Sequence, residues 1–318
     1  MRRFAVLLLA PVLVGGLLTG CGGGTSGASN VDKSLPTVTG HYGDKPKIKV
    51  AKGVKPSKKL VSTVLKKGSG AKVVKGDLLV ADYLGSIYTT GKVFDNSYDR
   101  KAPSAFPIGI GKVVTGWDKT LVGVSVGSRV EMVLPPKDGY GTKGNPQAGI
   151  KGTDSLVFVV DVIARYGKDL KTGTAPTPVT TLPKDLPTVT GTWGVEPKIA
   201  VAKATTPPKA PKATVVATGT GPVVTKSHLI VVQYTAVDWT GASQGKTWGA
   251  DGPQGVAVGV AGQAPGSNPF DLMIGIPVGS RVLLTLPAPK GSDATKQSIA
   301  VVIDILGQNG TAKEESKS

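Results

Sequence analysis

The chain reads as an α+β protein built from two copies of one unit, each an antiparallel sheet wrapped around one short helix. Three observations predict this. The 318 residues are 40% hydrophobic and include 44 Gly and 24 Pro, a turn-rich globular composition in which Val, Thr and Gly abound and helix formers are scarce. A repeat runs through the chain: Leu35-Pro-Thr-Val-Thr-Gly40 returns 151 residues later as Leu186-Pro-Thr-Val-Thr-Gly191, Pro46-Lys-Ile48 as Pro197-Lys-Ile199 and Tyr83 as Tyr234. Val126-Gly-Ser-Arg129 likewise matches Val278-Gly-Ser-Arg281, and Val159-Val-Asp-Val-Ile163 pairs with Val302-Ile-Asp-Ile-Leu306. Finally, runs of β-branched and aromatic residues outnumber helical patterns, and only one short stretch per copy suits a helix.

Residues 1–20 read as an export signal. Arg2 and Arg3 precede an apolar run from Phe4 to Leu18, which at about 15 residues is shorter than the roughly 20 needed to span a bilayer. The following Leu18-Thr19-Gly20-Cys21 is similar to the lipobox of bacterial lipoproteins. That resemblance implies a diacylglyceryl group on Cys21, two acyl chains sufficient for stable anchoring, and an extracytoplasmic, membrane-tied protein. Residues 21–34 make a Gly- and Ser-rich tether.

Within copy one, residues 35–167, strands are expected at Leu78–Leu84, Ser128–Leu134 and Leu156–Ile163, with a helix over Gly116–Val122 that carries Trp117 in its first turn. Val130, Met132 and Leu134 alternate with Arg129, Glu131 and Val133, the pattern of a sheet with one wet face. Residues 168–185, rich in Thr, Pro and Lys, read as an extended, mobile linker. Copy two is expected over 186–307, and 308–318 as a polar, frayed tail.

Composition excludes much chemistry. Two His and one Cys leave no ligands for a zinc site, an iron–sulfur cluster or a disulfide framework. The net charge of +17 suits anionic lipid or cell-wall polymer beside a membrane. Nucleic acid is disfavoured by export, by scattered lysines and by 5% aromatics. Gly123-Val-Ser125-Val-Gly127 fits a nucleophile elbow, but the helix precedes the serine and the strand follows, the reverse of what that motif requires. Gly139-Tyr-Gly141-Thr-Lys-Gly144 is followed by Asn145-Pro146 and not by a helix. Asp95 and Asp99 read as a solvated turn.

What remains is a constellation from Tyr83 to Phe158: Tyr83, Gly91-Lys-Val-Phe94-Asp95, Pro103, Phe106, Gly109, Gly111-Lys-Val113-Val114-Thr-Gly116-Trp117, Val126-Gly127, Tyr140-Gly141, Pro146 and Phe158. In this order the motifs resemble the FKBP-type peptidyl-prolyl isomerases. The resemblance implies a half-barrel of about five antiparallel strands around the helix, with a shallow apolar pocket and no cofactor. Carried over, Trp117 forms the floor, and Tyr83, Phe94, Val113, Val114, Ile150 and Phe158 form walls with Phe106. Asp95 lines one side, and Tyr140 offers its hydroxyl to a substrate carbonyl. Tyr83, Phe94, Asp95, Trp117 and Tyr140 are thus the expected catalytic set. Two positions depart from the family pattern: Ser104 stands where many relatives have an aromatic wall, and Asn145 where many have His.

Copy two is expected to keep the scaffold and lose the pocket. Tyr234 persists, Trp248 falls near the place of Phe94, Gly249 replaces Asp95, Pro269 with Phe270 stands opposite Trp117, and the Tyr140 loop shrinks to Pro287–Ser292. The resemblance therefore implies an isomerase of exported, Pro-containing polypeptides, active in its first copy. The alternative is a non-catalytic binding or chaperone protein whose pocket grips Pro-containing segments. A wall-associated adhesion role rests on charge alone.

Overall fold

The computed structural model describes residues 32–167, 174–249, 252–264 and 266–316; the leader, Cys21 and most of the tether lie outside them. The first half opens with a small hairpin of β1 (Thr37–Thr39) and β2 (Lys47–Lys49). Next come β3 (Val61–Lys66), β4 (Leu78–Ile87), β5 (Val93–Asn96), β6 (Ser104–Pro107), α1 (Thr115–Leu121), β7 (Arg129–Leu134) and β8 (Leu156–Tyr166). The antiparallel sheet runs β3-β7-β8-β4-β5, and β6 also pairs with β4. Its concave face packs on α1 through Leu79, Ala81, Met132, Val160 and Leu121. Helix and sheet approach so closely at Gly116 that a Cβ there would lie 2.4 Å from Leu134 Cγ. Only glycine permits that contact, which seats Trp117 beside it.

The second half repeats the order. An edge strand β9 (Thr177–Pro178) is followed by the hairpin β10 (Thr188–Thr190) and β11 (Lys198–Ala200). Then come β12 (Lys212–Thr218), β13 (His228–Asp238), β14 (Ser243–Lys246), β15 (Gln254–Val258), β16 (Arg281–Leu286) and β17 (Ile299–Asn309). The sheet runs β14-β13-β17-β16-β12-β9 with β15 also on β13, which mirrors the first sheet strand for strand apart from β9. Where the first half has α1, the second has a 3-10 helix, Pro269–Met273. Two short helices complete it, α2 (Ala294–Gln297) and α3 (Ala312–Glu315).

Three expectations are corrected. The face of β7 expected to be wet is dry: Arg129, Glu131 and Val133 are at most 2% exposed. The reason is the β1–β2 hairpin, which lays Leu35, Ile48 and Val50 over Tyr88, Val133 and Val157. Beneath it Arg129 bonds both oxygens of Asp161 at 2.6 Å and donates to the carbonyls of Gly40 and Asp44 at 2.7 Å. The second half repeats this device: Arg281 bonds Asp304 at 2.6 and 2.8 Å and Gly191 O at 2.8 Å. The distant repeated motifs Leu-Pro-Thr-Val-Thr-Gly and Val-Gly-Ser-Arg are therefore bonding partners within each half.

The second correction concerns the tail. β17 continues to Asn309, and α3 docks on the first half. The Ala312 N–H donates to Asp82 Oδ2 at 2.7 Å, Lys313 pairs with Asp44 at 3.0 Å, and Asn309 donates to the Tyr166 hydroxyl at 2.8 Å. Burial of Leu78, Val80, Ile163, Leu229, Val231, Leu306 and Ala312 between the halves explains why residues 308–316 pack here despite their polarity. Thirdly, part of the expected linker is built into a sheet: Thr177 and Pro178 pair with β12, and the Val179 N–H bonds Val216 O at 3.0 Å.

Glu131, sealed under the hairpin, has a carboxyl oxygen with no hydrogen-bond partner among the described residues. Burial pushes its pKa up to about 7. Between roughly pH 4.3, the unfolded value, and pH 7, the unfolded chain has released a proton that the folded chain still holds. Stability is therefore expected to fall as pH rises through this window. Glu131→Gln should flatten that slope and raise the melting temperature at pH 8; an unchanged slope in thermal melts from pH 4 to 8 would refute the assignment.

Candidate active site

Four of the six strands of the first sheet contribute to one cavity of about 490 Å³. β4 brings Tyr83, β5 brings Phe94 and Asp95, β6 brings Phe106, and β8 brings Phe158. Val113, Val114 and Thr115 enter from the start of α1, with Trp117 in its first turn, and Tyr140 with Gly139 closes the rim. Trp117, 3% exposed, is the hub of the ring packing. It meets Tyr83, Phe106 and Phe158 edge-to-face at centroid distances of 5.6, 4.8 and 5.4 Å, the arrangement the ring quadrupoles favour. Phe94 completes the wall on Phe158 at 5.6 Å. Gly85 makes room for both: a Cβ there would lie 2.6 Å from the Phe94 ring and 2.8 Å from Phe158.

Polar groups border this apolar floor on one side. The Tyr83 hydroxyl donates to Asp95, and Arg100 donates to Asp95 at 2.7 Å and to the Tyr83 oxygen at 2.9 Å. Burial, then the Asp95 hydrogen bond, pushes the Tyr83 pKa up to about 12, so the phenol stays protonated and its proton is committed to Asp95. Ser104 takes a bond from Arg100 at 3.3 Å, so the position that departs from the family pattern joins this network. Tyr140 differs from Tyr83 in being 37% exposed at the rim, with its pKa raised by partial burial. It can present its hydroxyl to a bound chain.

Nine of the ten expected pocket residues meet around the cavity. Ile150 does not: it is buried in the core cluster, 3% exposed. Its backbone pairs with Asn145 in both directions at 2.9 Å, which pinches shut the loop that follows Tyr140, so Ile150 bears on the rim through the backbone. Asp95, read alternatively as part of a solvated turn, is a β5 residue. Sequence reasoning missed Lys112, Thr115 and Gly139 at the cavity and Arg100 beside it. Lys112 and Thr115 stand inside the quoted Gly111–Trp117 run, whereas nothing local marks Arg100, which reaches Asp95 and Tyr83 from the 3-10 turn after β5.

In the second half, strand register replaces the expected equivalences. Gly85 faces Asp95 and Ala236 faces Gly245, so Gly245 holds the Asp95 position and Gln244 that of Phe94; Trp248 and Gly249 lie beyond. The same logic puts Val256 opposite Phe106 and Val301 opposite Phe158. With both rings gone, the Gly85 position can carry the methyl of Ala236.

The fold and cavity define a half-barrel domain with one aromatic-floored pocket at the end of its sheet. Residues 69–163 match the family described as FKBP-type peptidyl-prolyl cis-trans isomerase. An FK506-binding protein of Streptomyces anulatus is 31% identical over 121 residues, which are 38% of this chain and 97% of that protein. Peptidyl-prolyl cis-trans isomerase FPR2 of Saccharomyces cerevisiae is 38% identical over 29% of this chain and 67% of its own length. FK506-binding protein 2B of Rhizopus delemar is 43% identical, but the chain spans only 42% of that protein. Among solved structures, FkpA from Escherichia coli is 36% identical over 37% of this chain and 53% of that chain, with a TM-score of 0.32. The chain belongs to the FKBP-type peptidyl-prolyl cis-trans isomerase family, and its first half carries the isomerase domain.

Proposed function

We propose that the chain accelerates X-Pro isomerisation in exported polypeptides at the outer face of the cell membrane, with Cys21 lipidated as the anchor. The observation that carries the catalytic part is the aromatic cavity floored by Trp117 with the Tyr140 hydroxyl at its rim. Rotation about a peptide bond faces ~18–20 kcal/mol because amide resonance must be broken, and no covalent bond is made or cut. An apolar pocket favours the twisted amide, in which charge separation is lost, over the planar ground state. The proline ring rests on Trp117, and Tyr140 orients the chain by a hydrogen bond to a carbonyl. Tyr83, Asp95 and Arg100 keep one wall rigid through bonds to one another. The second half, with Gln244, Gly245, Val256 and Val301 in place of the pocket residues, serves as a scaffold and client-holding surface with the pocket lost. Export and anchoring are supported by Arg2-Arg3, the apolar run and Leu-Thr-Gly-Cys21. Anionic lipid or cell-wall polymer is the further partner that the charge of +17 suits.

The test uses the full chain, because α3 of the second half docks on the first. In a protease-free assay of X-Pro isomerisation, clear acceleration is expected, reduced several-fold by Tyr140→Phe with an unchanged melting temperature. A folded chain that leaves the uncatalysed rate untouched would make this a binding pocket for Pro-containing segments.

A further inference from the structure

A second cavity, of about 340 Å³ and formed between the halves, lies beside the proline cavity, and Lys112 lines both. Leu78, Ala105 and Pro107 of the first half form one wall of that groove, and Pro253, Gln254 and Gly255 of the second form the other. β6 and β15 abut here so closely that a Cβ on Gly255 would lie 2.4 Å from Ala105 Cβ. The absence of a side chain at Gly255 is thus what lets the two strands meet.

Charge singles out Lys112. Of the two charged residues lining the proline cavity, Asp95 is neutralised by Arg100 at 2.7 Å. Lys112 is exposed and makes no hydrogen bond or ion pair among the described residues. The groove beyond it is lined by no other charged side chain. A polypeptide seated by its proline on Trp117 and continuing past Lys112 therefore meets one unpaired positive charge between walls that carry no other charged side chain.

We propose that Lys112 makes the isomerase selective for X-Pro segments with an acidic residue near the proline, and that the chain carrying it continues along the groove between the halves, against Gln254 of the second. This rests on the isomerase reading and adds a substrate class to it. It also gives the second half a direct part in substrate binding.

The experiment measures kcat/KM of the full chain on peptides of about ten residues, ~33 Å when extended and so long enough to cross both cavities. They carry Glu, Gln or Lys two positions before or two positions after a single proline. The wild type is expected to rank Glu over Gln over Lys on one side of the proline by about threefold per step, an exposed-pair effect that fades in 0.5 M salt, where screening is strong. Lys112→Glu should invert the ranking, and Lys112→Gln should flatten it. Gln254→Glu should reduce the advantage of the Glu peptide. No isomerisation of any peptide would overturn the isomerase reading itself. Isomerisation with the same ranking in wild type and Lys112→Glu overturns the selectivity alone, and a ranking indifferent to Gln254→Glu overturns the groove.

Discussion

Arg129→Leu is expected to lower folding stability by about 3–5 kcal/mol, the usual cost of leaving one member of a buried ion pair alone. The expectation is large because Arg129 is 2% exposed and holds five acceptors at once: both oxygens of Asp161, the carbonyls of Gly40 and Asp44, and the Tyr98 hydroxyl at 3.3 Å. Its removal strands a buried carboxylate and undocks the turn of the β1–β2 hairpin, which is the lid over Val133 and Val157. Adding Asp161→Asn should recover part of the loss, because the uncompensated charge disappears. Urea unfolding followed by circular dichroism measures both variants; a loss below about 1 kcal/mol would show that the pair contributes little. The proline cavity lies on the opposite face of the sheet, so activity below the unfolding midpoint is expected to persist.

Trp117→Ala should have the largest effect on activity. Removing the indole takes away the floor of the cavity and three edge-to-face partners. The contact area lost to a bound proline corresponds to roughly 1.5–3 kcal/mol, or about ten- to a hundredfold in kcat/KM. The same change opens a core cavity at a cost of about 3–5 kcal/mol, so it must be read below its own melting temperature. Trp117→Phe separates the effects. It keeps an aromatic floor, removes an indole N–H that has no partner among the described residues, and should retain much of the activity. Equal, near-complete loss in both variants would mean that the indole has a role beyond serving as a floor.

Much of the site was legible because it is local. Gly111 to Trp117 spans the cavity floor and its entrance, and Phe94-Asp95 are neighbours on one short strand. Arg100 was not legible, because it acts through a turn that folds back on β5, and no spacing rule ties a surface-type arginine to a tyrosine 17 positions earlier. The second half shows the same limit from the other side. Matching along the sequence put Trp248 at the Phe94 position because aromatic residues invite alignment, whereas hydrogen-bond register assigns Gln244.

By itself, the sequence determined the α+β class, the two similar units, the strands β4, β7 and β8, the helix bearing Trp117 and the aromatic set of the cavity. These follow from local periodicity and from residue types held close together in the chain. Only the tertiary structure decided that the outer face of β7 is dry, that the repeated Gly40 and Arg129 motifs bond one another and that the tail anchors on Asp82. The contacts responsible join residues some 90 to 230 positions apart. Whether a polar side chain is solvated or buried depends on what covers it, and a covering segment from so far along the chain leaves no trace in the pattern of the strand it covers.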